Sequence, residues 1–128
     1  MPFDGLGVNQ DMLVIDKMLE IFGPNGERWI QGVEYHPGRS WCLVGALKSA
    51  RRRLRSRDDE AGKFIVYAIW HADNTAIKRR MSIEEWNDQS GRTFDEIKDM
   101  LSFARTVAGW QRGRFIAGAQ PSFMPLLA

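Results

Sequence analysis

The chain has 128 residues, of which 44% are hydrophobic, 27% charged and 11% aromatic, enough apolar material for one domain with a sizeable core. Eighteen lysines and arginines stand against sixteen acids, a formal net charge of +2 that excludes a wholesale polycation and an acidic solvating chain alike. The lone cysteine, Cys42, excludes an internal disulfide, and the longest apolar run, from Phe64 to Trp70, is far short of the roughly 20 residues that span a bilayer. The opening Met-Pro-Phe-Asp-Gly carries no secretory pattern, so a reducing cytoplasm and no membrane partner are expected.

The first helix is predicted over residues 9–22, with Asn9 as its cap and Met12, Ile15, Leu19 and Phe22 on one face. Gly23-Pro24-Asn25-Gly26 ends it. Residues 28–35 have no helical period; with Trp29, Ile30, Val33 and Tyr35 they read as a short strand or an ordered loop. His36-Pro37-Gly38-Arg39 is a turn, and Ser40 is the expected N-cap of a second helix. That helix carries Leu43, Ala46, Leu47, Ala50 and Leu54 on one face and ends near Ser56 or Arg57. A third is expected from Asp58 or Asp59 through Phe64, Ile65, Ala68 and Ala72, extending toward Ile77. Ser82-Ile83-Glu84-Glu85 is a capping box for a short helical turn, and Thr93-Phe94-Asp95-Glu96 is another. The second opens the clearest helix, striped by Ile97, Met100, Leu101, Ala104, Val107 and Ala108.

These elements predict a mainly α fold, a single compact domain of about four helices over residues 1–110 with a short extended segment near 29–35. Residues 111–128 read as an irregular apolar tail. After Arg114 it has no charged side chain yet holds Phe115, Ile116, Phe123, Met124, Leu126 and Leu127, and Pro121 and Pro125 forbid one long helix. The expectation is that it docks on its own bundle; the alternative is a homo-oligomer or a partner held through residues 115–128.

Four words recur to the eye in order: Trp29-Ile30-Gln31-Gly32, Trp41-Cys42-Leu43-Val44-Gly45-Ala46-Leu47, Trp86-Asn87-Asp88 and Gly91-Arg92-Thr93, then the closing amphipathic helix. The pattern resembles an uncharacterised domain-of-unknown-function family of small bacterial and phage proteins, over residues 13–108. The resemblance implies a small helical cytoplasmic protein and brings no activity with it.

Candidate chemistry is sparse. With Ser40 as cap, Cys42 falls in a first helical turn, where free amides and the helix dipole lower a thiol pKa. His36 or His71 would be its base, oriented by Asn87 or Asp88. Neither papain-type nor caspase-type words surround Cys42, and a cysteine between Trp41 and Leu43 is equally a small buried hydrophobe, the reading favoured here. One cysteine and two histidines 35 positions apart lack metal-ligand spacing, and His71 with Asp73 is a fragment only; no metal and no cofactor are expected. No Gly-x-Gly-x-x-Gly or Walker pattern exists. Trp86, Asn87, Asp88 and Arg92 form either a small ligand cluster or, preferably, a loop of caps and turns. In that loop Asn87 and Asp88 bond nearby amides, Gly91 takes a positive φ and Trp86 is the anchor. Gly45 is expected to admit another helix, or a ring such as Trp70 or Trp86.

The strongest surface signal is cationic. Lys48, Arg51, Arg52, Arg53, Arg55 and Arg57 place six cations in ten residues without an acid, while the other 118 residues hold 12 bases and 16 acids. On a helix Lys48, Arg51, Arg52 and Arg55 share a face opposite the apolar one, and arginine is the better fork for phosphate and carboxylate. Pairing with Asp58, Asp59 and Glu60 is the bland alternative. No helix-turn-helix or RNP word is present. The expected function is non-enzymatic: an interaction or regulatory protein that binds an acidic protein or nucleic acid through Lys48, Arg51, Arg52, Arg55 and Arg57. A Cys42-dependent enzyme is the alternative.

Overall fold

The computed structural model describes residues 8–116, with side chains to residue 110. Its elements are α1 (Gln10–Phe22), β1 (Tyr35–His36), β2 (Ser40–Trp41), α2 (Leu43–Leu54), α3 (Ala61–Ala72), α4 (Asn74–Arg79), α5 (Ile83–Asn87) and α6 (Phe94–Ile116). The fold is mainly α, as composition and periodicity indicate, with four long helices and two short ones among the described residues.

The predicted stripes become the core. Ile15, Met18 and Phe22 of α1 meet Leu43, Ala46 and Ala50 of α2, Ile65, Ala68 and Ile69 of α3, and Ile97, Leu101 and Ala104 of α6. Helix α1 packs on α2 and α6, and α6 lies along α3. Asn9 caps α1 through its side chain, which accepts from the Met12 amide at 2.9 Å; its Nδ2 also donates to the Ala108 carbonyl at 3.2 Å, stapling α1 to α6. Arg105 adds a fork onto Asp16, with Nε 2.6 Å from the carboxylate. Both expected capping boxes are formed, Ser82 with Glu85 and Thr93 with Glu96.

Several helix boundaries differ from the sequence reading, among them the end of α2, which stops at Leu54 rather than near Ser56 or Arg57. Cys42, not Ser40, caps α2, because Ser40 is held opposite His36 in an antiparallel hairpin and Trp41 donates its amide to the Arg28 carbonyl. Helix α3 starts at Ala61 rather than at Asp58 or Asp59, because the Asp59 carboxylate turns back to accept from the Ala61 amide. It stops at Ala72 and leaves Ile77 in α4, because Asp73 caps the next helix by accepting from the Thr75 and Ala76 amides. Helix α6 runs on into residues 111–116, where the sequence pattern begins the tail. Residues 117–128, and with them most of that segment and its expected docking or self-association, lie outside the described residues.

The end of α2 is fastened by one charged pair. Arg51 Nε donates to both Asp59 oxygens at 3.0 Å, and Ser56 Oγ adds a bond at 2.8 Å. Burial raises the Asp59 carboxyl, but Arg51, Ser56 and the Ala61 amide outweigh it and hold the group below its ordinary value. A carboxylate depressed on folding stabilises fully above its unfolded value, and that stabilisation is lost as pH falls through the folded one. Asp11, pushed up by burial against an amide bond from Glu60 and by its neighbours Asp59 and Glu60, acts in the opposite sense. Asp59→Asn is therefore expected to cost about 2 kcal/mol at pH 7 in urea unfolding. The gap between the two proteins should narrow below about pH 4. An unchanged gap across that range would contradict the assignment.

Candidate functional site

The segment between α1 and α2 has little regular structure, and it is held by the Asn87 side chain. Asn87 is fully buried at the end of α5. Its Oδ1 accepts from Trp29 Nε1 at 2.8 Å and from the Leu43 amide at 3.0 Å. Its Nδ2 donates to the Ile30 carbonyl at 3.2 Å and to Asp88 Oδ1 at 2.8 Å. Alongside, Gln31 Nε2 donates to the Asn87 and Gln89 carbonyls, and the Gly32 amide donates to Asp88. Asn87 and Asp88 thus bond groups more than 40 positions away, not the nearby amides expected of a loop. The chain then turns through the hairpin, where Tyr35 faces Trp41 and Gly38 takes φ +70°. It returns with the Cys42 amide on the Glu34 carbonyl at 2.9 Å. A methyl group at Gly45 would overlap that Glu34 carbonyl oxygen, so this glycine admits backbone of the 28–36 segment and not a helix or an indole ring.

Seating the hairpin beside α2 makes a groove of about 500 Å³ lined by Glu34, Tyr35, Trp41, Gly45, Lys48, Ser49, Arg52 and Arg53, with Pro37 and Gly38 at its mouth. Next to it, Arg51, Arg52, Arg55, Ser56 and Arg57 line a cleft of about 460 Å³. Arg52 belongs to both. The cleft exists because Arg55 adopts a left-handed conformation, φ 54°, that turns the chain back so that the Ser56 amide reaches the Arg51 carbonyl at 2.9 Å. Left-handed backbone costs a non-glycine residue about 1 kcal/mol.

The predicted basic stripe divides by role. Arg51 is engaged by Asp59, and exposed Lys48 pairs with Glu34 at 3.1 Å. Arg52, Arg55 and Arg57 are exposed and have no ion pair or hydrogen bond among the described residues. Arg53, which sequence reasoning left out of the binding set, lies over the Trp41 ring at 5.7 Å. Groove residues Glu34, Tyr35, Trp41 and Ser49 were also missed. The Lys48–Arg52 spacing hinted at a shared face, but nothing in an aperiodic stretch says that it folds against that face.

The remaining candidates lie apart. Cys42 is buried, and burial raises its thiol above the ordinary value despite bonds from the Gly45 and Val44 amides. This reverses the lowered pKa expected of a first-turn cysteine. Cys42 lines none of the clefts described here. His36 sits in the exposed hairpin, and His71 stacks on Phe103 with centroids 4.5 Å apart. His71, Asp73, Trp86, Arg92, Glu96 and Asp99 surround a third cleft of about 360 Å³. There the Arg92 guanidinium lies 3.8 Å from the Trp86 ring centre while Nε donates to the Trp86 carbonyl. The loop cluster is therefore split: Trp86 and Arg92 face this cleft, Asn87 and Asp88 the 29–32 segment. Among the described residues no three His, Cys, Asp or Glu side chains are placed to hold a metal, and no helix is long and apolar enough to cross a membrane.

A model of the family of unknown function DUF6197 matches residues 25–107, well over half of the chain. The chain belongs to DUF6197. No curated protein and no solved structure matches it. The DUF6197 match takes in the whole Asn87 clamp, both arginine-lined clefts and the His71 cleft, and it begins after α1. Three of the four tryptophan- and glycine-anchored words of the sequence meet at the clamp: Trp29, Ile30, Gln31 and Gly32 bond Asn87, Asp88 and Gln89, and Leu43 bonds Asn87. Gly91-Arg92-Thr93 closes the far side through Arg92 on Trp86.

In this DUF6197 chain the buried Cys42 thiol should resist iodoacetamide. Mass spectrometry at pH 7.5 is expected to show alkylation at least about 100-fold slower in the native protein than in denaturant. Equal rates would return Cys42 to the list of reactive thiols.

Proposed function

We propose that this protein is a non-enzymatic interaction module, acting in the cytoplasm of a bacterium or phage-infected cell, that binds an anionic macromolecule through the C-terminal end of α2. The observation that carries this reading is the set of exposed arginines Arg52, Arg55 and Arg57, unpaired among the described residues and gathered around two adjoining clefts. Unpaired arginines this close repel one another by an amount that a bound anion removes, and their forks suit carboxylate or phosphate oxygens. Arg53 joins the set through the groove, whereas Arg51 is a structural residue that shapes the cleft and Lys48 is paired with Glu34. The buried, deactivated Cys42 weighs against the thiol-enzyme alternative.

Retention on immobilised heparin, an unbranched polyanion, tests the reading. The Arg52→Glu/Arg55→Glu/Arg57→Glu protein is expected to elute at clearly lower salt than wild type, with at least a tenfold loss of affinity. Lys78→Glu/Arg79→Glu/Arg80→Glu changes the net charge equally at the end of α4, away from both clefts, and should elute close to wild type. Equal shifts in the two variants would mean that total charge, and not this face, governs binding.

A further inference from the structure

The groove beside the hairpin holds more than charge. Tyr35 is 50% exposed at its rim, next to Arg52 and Arg53, and offers a flat ring to whatever enters. Ser49 is 3% exposed and lines the groove, and its hydroxyl makes no hydrogen bond among the described residues. The hydroxyl oxygen is reached by solvent from the groove, so in the free chain it is hydrated and open to a ligand's donor or acceptor. Glu34 also lines the groove, but it holds Lys48, so an incoming anion is directed toward Arg52 and Arg53. Arg52 also lines the second cleft, where Arg55 and Arg57 wait for a further negative charge.

Resting on the anion-binding reading of this face, we propose that its occupant is single-stranded nucleic acid. One nucleotide sits in the groove with its base on Tyr35, its phosphate at Arg52 and Arg53 and a polar group on Ser49. The next phosphate lies in the cleft of Arg55 and Arg57. The groove volume falls within the range of pockets that take one small ligand, so it holds a single unit. Two adjoining arginine-lined clefts that share Arg52 favour a chain of regularly spaced charges over a free nucleotide. An exposed aromatic ring between arginines is the arrangement on which unstacked bases rest, since every base has a π-face. A duplex keeps its bases stacked inside and would leave Tyr35 and Ser49 idle; an acidic protein surface offers carboxylates but no flat partner for the ring.

Fluorescence anisotropy of the full-length protein decides the matter, with three labelled probes: a 12-nucleotide oligodeoxythymidine, a 12-base-pair duplex and a 12-residue polyglutamate. The oligodeoxythymidine is expected to bind at least tenfold more tightly than either other probe. Its affinity should fall with salt at a log–log slope near −1.4, two phosphates at roughly 0.7 each. Tyr35→Ala should weaken it about 5- to 100-fold and leave that slope unchanged, because stacking and not charge is lost. Ser49→Ala should weaken it several-fold while leaving the thermal midpoint close to wild type, since that hydroxyl makes no hydrogen bond in the free chain. A duplex bound as tightly as the single strand, or wild-type affinity in both Tyr35→Ala and Ser49→Ala, would overturn the proposal. Polyglutamate bound through Arg52 without oligodeoxythymidine binding would also overturn it and leave the anion-binding reading standing. If no probe binds, both fall.

Discussion

The fully buried amide of Asn87 is the constraint on which the rest of the functional surface depends. Four hydrogen bonds converge on it, from or to Trp29, Ile30, Leu43 and Asp88, and they join the loop after α1, the start of α2 and the end of α5. A net hydrogen bond is worth about 1 kcal/mol, but a buried group stripped of its partner costs about 1–3 kcal/mol. The clamp matters more for the register it imposes than for its sum. Residues 28–42 reach the core through Trp29, Trp41 and Cys42, and these bonds, with those of Gln31 and Asp88, fix where the hairpin lies against α2.

From that placement the charged surface follows. Glycine at position 45 lets the Glu34 carbonyl come close, the hairpin brings Tyr35 and Trp41 beside Arg52 and Arg53, and the groove between them is the result. At the other end, Arg51 on Asp59 ties down the turn after α2 while Arg55 bends it through a left-handed residue. Two of the six cations of the run thereby serve the local fold, Arg51 through its pair and Arg55 through its backbone, while the side chains of Arg52, Arg55 and Arg57 remain in solvent. The small net charge of the whole molecule, +2, conceals this division.

How much of this was legible in the sequence depends on the range of the interactions. Caps and stripes are local and periodic, so Asn9, Ser82 and Thr93 were read in their places and the faces of Ile15, Leu47, Ile65 and Leu101 became the core. Ser40 was misread because a hairpin pairing with His36, set by contacts with Arg28 across the loop, competes with its capping propensity. The Cys42 thiol was misread because proximity to a helix terminus says nothing of burial, and burial dominates. Asn87 looked like a loop residue because its partners lie 44 and 58 positions away, at Leu43 and Trp29, and no spacing rule connects them. The basic run was visible as a run; that Arg51 would face Asp59 and Arg53 would face Trp41 required the turn and the hairpin.

The central claim is that Asn87 holds the 28–42 segment in place and so forms the groove. Amide hydrogen exchange in Asn87→Ala, under conditions where the buried amides of α3 and α6 remain protected, tests it most directly. The account predicts that Ile30, Trp41 and Leu43 lose protection together by a factor of ten or more while α3 and α6 keep theirs. Unchanged protection at those three amides would contradict it.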